Sequence, residues 1–99
     1  MQMYQILDTI NNTDFNKLQA GKLLDINAKE ILFISLEKDT LFKKHTSPTD
    51  AHLLVLEGAI TFFINDSEYL LEKHQVFSFP KDIEHWVEAS KDSKFLIIR

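Results

Sequence analysis

The sequence predicts an all-β domain, a barrel or sandwich of short strands, on three observations. From Lys29 onward, β-branched and aromatic residues recur in short stretches separated by polar turns. One separator, Asn65-Asp66-Ser67, contains two residues that tolerate the left-handed backbone of a tight hairpin. Two stretches, Leu53 to Leu56 and Phe95 to Ile98, are apolar at every position, so both of their faces need cover.

Taken in chain order, the first segment is the least regular. Thr13 to Gly21 begins with a capping-type residue and ends in glycine, which predicts about two helical turns or a helical-looking turn, with a short N-terminal strand as the alternative. The strand-forming stretches then follow: Ile31 to Leu36, Leu53 to Leu56, Ala59 to Ile64, Tyr69 to Leu71, Val76 to Phe79, His85 to Val87 and Phe95 to Ile98. Glycine and proline are scarce, and three of the four, Pro48, Gly58 and Pro80, flank these strands. The outer faces of the two-faced strands can be covered in part by residues 1–34 and in part by a second copy, so a homodimer is expected.

Composition narrows the rest. A chain of 99 residues with 44% hydrophobic and 26% charged side chains fits one folded domain spanning 1–99, with a barrel core from about residue 29. The net charge of -4, with no basic run longer than Lys43-Lys44, argues against a nucleic-acid partner. No cysteine is present, which excludes disulfides and thiol chemistry. The apolar runs are far shorter than the roughly 20 residues that span a bilayer. Residues 1–6 carry neither a basic flank nor an apolar core of a signal peptide, and a cytoplasmic location is expected.

Two stretches resemble the paired motifs of the cupin superfamily. The first motif runs glycine, five residues, His-x-His, three or four residues, glutamate, six residues, glycine. With Gly58 as the anchor, His45 falls on its first histidine, Ser47 on its second and Ala51 on its glutamate, and Asp39 or Thr40 stands at the leading glycine. The second motif runs glycine, five residues, Pro-x-Gly, two residues, histidine, three residues, asparagine. Pro80 and His85 keep its spacing, while His74 and Asp82 replace its glycines and Ala89 its asparagine.

The resemblance implies a double-stranded β-helix, also called a jelly-roll barrel, with a site inside its mouth. It also implies a metal held by three histidines and one glutamate, of which only His45 and His85 are present. Serine is a poor ligand beside imidazole, and alanine cannot ligate. A divalent ion such as zinc, nickel, manganese or iron would therefore be held weakly by His45 and His85, or not at all. Ser47, Ala51, Val55, Phe77 and Phe79 are the expected pocket lining. His52 follows Ala51 directly, so strand parity turns it away from the interior unless a bulge intervenes. His74 reads as a solvated turn residue, Asp50 as a loop residue near the mouth, and Glu84 as facing away from His85.

No acid/base pair stands out, so catalysis is left open. The residues support a small-molecule-binding protein, with or without a metal. The competing readings are a metal-free ligand sensor and a dimeric scaffold.

Overall fold

The computed structural model describes residues 4–99. One helical turn, α1 (Thr9–Asn12), precedes nine strands: β1 (Leu18–Ile26), β2 (Lys29–Leu36), β3 (Leu41–His45), β4 (Ala51–Glu57), β5 (Ala59–Ile64), β6 (Ser67–Glu72), β7 (Val76–Phe79), β8 (His85–Ala89) and β9 (Ser93–Ile98). They form two antiparallel sheets, one ordered β1-β2-β9-β4-β7 and the other β3-β8-β5-β6. This is the expected jelly-roll architecture. No helix among the described residues is long and apolar enough to cross a membrane.

Tight turns set the register. Asn65 and Asp66 both have positive φ, at 50° and 60°, and Ile64 pairs directly with Ser67, so the β5-β6 connection is a two-residue hairpin of the type whose twist matches the strands. Asn27 and Ala28 make a second such turn between β1 and β2. Three further left-handed residues are informative: Asp39 at 68°, His74 at 72° and Asp82 at 64°. They stand at the positions where the motifs described above carry glycine. Aspartate and histidine are among the residues that tolerate this region best, so the backbone path survives without glycine.

The core lies between the sheets. Ile34, Leu36, Leu53, Val55, Ile60, Phe62, Val87 and Phe95 are almost completely buried there. Alternation along β4 shows why the sequence folds this way. Ala51, Leu53 and Val55 point inward, and His52, Leu54 and Leu56 point outward.

Of the two expectations at the N-terminal side, the strand is the one that forms over residues 18–21, and the two helical turns across 13–21 do not. The helical turn lies earlier, at Thr9–Asn12, Thr13 ends it in an extended conformation, and Leu18 onward is strand. Pairing with β2 along the whole length of β1 supplies the backbone hydrogen bonds that outweigh the local helix signals. β1, from Leu18, thus adds an edge strand to the larger sheet.

Part of the outer face of the larger sheet is covered by the segment before β1. Lys94 donates from Nζ to the Ile10 carbonyl at 2.6 Å and lies 5.0 Å from the Phe15 ring centroid, and the Ser35 hydroxyl donates to the Asp14 carbonyl at 3.1 Å. Beyond this strap, two cross-strand rows remain partly open: Leu96-Leu54-Val76, which runs on from the buried Phe33, and Leu24-Ile31-Ile98-His52.

Candidate functional site

His45 and His85 are brought together by strand pairing. They are partners on β3 and β8, and a bulge interrupts the pairing between Phe42 and His45. In a regular strand, residues three apart face opposite sides. The bulge resets that parity, so Phe42 and His45 both border the interior, stacked at 4.2 Å. The two imidazoles meet edge to face, with centroids 4.3 Å apart. Phe62 also stacks against His85 at 5.1 Å, and Phe79 meets it at 4.7 Å.

The protonation pattern follows from the backbone. His85 Nδ1 lies 2.9 Å from the Ile83 carbonyl, and His45 Nδ1 is bonded in the same way to the Lys43 carbonyl. A carbonyl can only accept, so each Nδ1 carries the hydrogen and each neutral ring keeps its lone pair on Nε2. Burial pushes the His85 imidazole below its ordinary value, the bond to Ile83 partly offsets this, and His45 adds to the lowering.

A cavity of about 70 Å³ adjoins the pair, and Ser47, Phe42, Phe79 and Arg99 also border it, with Leu32, Ile34 and Ile97 as apolar wall. Ser47 is buried, and its hydroxyl donates to the Thr49 carbonyl at 2.6 Å, so its donor is already spent. The surrounding loops are tied by Asp82 N to the Ser47 carbonyl at 2.9 Å and by Lys81 N to Asp50 Oδ1 at 3.0 Å. Asp50 thus holds the Pro48 loop to the Pro80 loop.

The other expected pocket residues lie elsewhere. Val55 is fully buried in the core, where Phe77 packs against it as a partly buried neighbour, and neither borders the cavity. Ala51 is fully buried facing the core, and its other boundary is a shallow outer hollow shared with His52 and Ser78. His52 points outward, with Nδ1 2.7 Å from the Ser78 hydroxyl. His74 is an exposed turn residue, and Glu84 is exposed. Arg99 was missed by sequence reasoning. Its signal was strand parity, since Ile97 faces in and Ile98 out, which returns residue 99 to the inner side.

As a metal site, the arrangement offers two imidazole nitrogens. Among the described residues, no three His, Cys, Asp or Glu side chains gather closely enough to hold an ion. The two Nε2 lone pairs suit a divalent transition metal, whose other positions would fall to water or a bound molecule.

Two antiparallel sheets packed face to face in this strand order define a class, the double-stranded β-helix proteins. A family model described as Cupin domain matches residues 32–98, and the chain belongs to the cupin family. No curated protein matches the chain by sequence. Among solved structures, it is similar to a conserved protein of unknown function from Streptococcus pyogenes, with TM-score 0.82, 22% identity, and coverage of 99% of this chain and 88% of that one. A cupin superfamily protein from Desulfitobacterium hafniense aligns at TM-score 0.82 and 18% identity over 99% of this chain and 91% of its own. The salicylate 1,2-dioxygenase of Pseudoaminobacter salicylatoxidans aligns at TM-score 0.77 and 17% identity over 87% of this chain but only 25% of that one. At these identities the likeness concerns the fold.

Proposed function

We propose that this cupin binds a small molecule in the barrel mouth, beside His45 and His85, with a divalent metal as a candidate third party at the two Nε2 atoms. The observation that carries the reading is the pair itself: directly opposed on neighbouring strands, 4.3 Å apart, each with its Nδ1 tied to a backbone carbonyl. Such fixing of ring orientation is what a binding histidine needs. The mostly apolar cavity with a few directed polar groups has the makeup of a ligand site. A metal would supply Lewis acidity there. The protein's own part is to orient the two rings and exclude water with Phe42 and Phe79.

Elemental analysis after repletion with zinc, nickel, manganese and iron tests the metal. Stoichiometric metal that is lost in His45→Ala and His85→Ala supports it, and metal-free wild type removes it. A metal-free binding module is the second reading, favoured by Ser47 spending its hydroxyl on Thr49 and by Ala51 offering no donor. Thermal stabilisation by small molecules without added metal distinguishes it. A scaffold role remains if both histidines are dispensable. A second copy on the open rows of the larger sheet and a cytoplasmic location complete the proposal, the latter in keeping with a chain whose stability uses no disulfide.

A further inference from the structure

We propose that the cavity beside His45 and His85 selects a small monocarboxylate and that Arg99 is the residue that selects it; this rests on the ligand-binding role proposed above. Arg99 extends the pairing of β2 with β9, its backbone exchanging hydrogen bonds with Glu30 at 3.0 and 2.7 Å. Its side chain turns to the inner side and borders the cavity together with both histidines. About a quarter of that side chain is exposed, at 26%, so the guanidinium is partly removed from water.

The donors and acceptors around the cavity are unequal. Arg99 Nε donates to Glu30 Oε1 at 2.6 Å, and Glu30 Oε2 faces Lys22 Nζ at 3.5 Å. A carboxylate can engage at most two of the five N–H donors of a guanidinium, so at least three remain for another partner. Among the side chains of the described residues that border the cavity, that of Arg99 carries a fixed charge and none is acidic. Glu30 and Asp25 lie on the other side of Arg99, along a groove of about 220 Å³ that Pro48, Thr49 and Lys29 also border. Arg99 is therefore the shared wall between groove and cavity. A ligand whose anionic end meets Arg99 can place a short apolar tail against Leu32, Ile34 and Phe42. At about 70 Å³ the cavity suits a molecule of roughly five non-hydrogen atoms, the size of propionate.

The experiment compares propionate with its uncharged isostere propionamide on the purified protein, following the Hε1 resonances of His45 and His85 by NMR titration. Propionate should bind about tenfold or more tighter than propionamide, and Arg99→Gln should abolish that preference. Glu30→Gln breaks the same ion pair yet frees the guanidinium, so it should strengthen propionate binding. A purely structural role for the pair would move both variants in the same direction and would overturn the proposal. Equal binding of acid and amide overturns the carboxylate inference while leaving the ligand pocket standing. Binding of neither molecule overturns both.

Discussion

The imidazole of His85 packs against both that of His45, edge to face at 4.3 Å, and the ring of Phe62, stacked at 5.1 Å, with only 2% of the residue exposed. Burial favours its neutral form, so the folded state binds the proton less readily than the unfolded chain. As pH falls below the ordinary value of 6.5, the unfolded state takes up the proton first, and stability present above that pH is lost as pH passes through the lower folded value. Urea midpoints measured with EDTA should fall between pH 7 and 5, and His85→Gln should flatten that slope. Glu30, held low by Arg99, contributes a loss only below 4.5, outside this window.

The two glycines should respond oppositely to alanine. At Gly58, with φ of 85°, a Cβ would collide with the Asp92 carbonyl oxygen and the Ser93 side chain. Ser93 cannot yield easily, because its hydroxyl receives the Ala59 N–H at 3.1 Å and donates to the backbone. Gly58→Ala should cost about 2 kcal/mol or more. At Gly21 no heavy atom lies within 4 Å of the new methyl group, and Gly21→Ala should stabilise the strand by about 0.5 kcal/mol. Denaturant midpoints of the two variants on opposite sides of wild type are the expected result.

His74 offers the converse substitution. Its backbone is left-handed at 72° while its N–H donates to the Val55 carbonyl at 2.7 Å, and its side chain is exposed. His74→Gly removes the steric cost and retains the hydrogen bond, for a net gain of about 0.5 kcal/mol after the entropy of glycine is counted. A rise in Tm of roughly 2 to 4 °C checks it.

The open rows on the larger sheet predict association. Leu54 and Leu96 are cross-strand partners at the middle of one row and are half-buried. Light scattering at micromolar concentration should give the mass of a dimer for the wild type and of a monomer for Leu54→Asp. A monomeric wild type refutes the pairing.

The parts of this fold that bury a face were legible in the sequence. Ala59–Ile64 and Val76–Phe79 were located to the residue, because their composition and the adjoining turns mark them. β1 and β3 were not. β1 is exposed or half-buried along its length, so no alternation betrays it, and its capping-type Thr13 pointed to a helix that in fact ends there. β3 presents two lysines outward and directs Phe42 and His45 inward through a bulge, which no periodicity of two can show. The histidine pairing followed from motif spacing. Ala51 and Val55 could not be separated from the cavity wall by sequence, because facing inward on a barrel strand leads either to the core or to the mouth, and depth along the barrel decides which.

Ala51 has one more consequence. It is completely buried, paired opposite Phe79, at the position where the family motif carries glutamate. A glutamate introduced there would lose its hydration before any cation had been secured, at a cost of several kcal/mol against a total stability of about 5 to 15 kcal/mol. Nor could it stay neutral without a partner for its proton. A carboxylate at position 51 therefore lowers the stability of the fold until a cation is bound beside it, so folding and metal loading would be coupled at this one position.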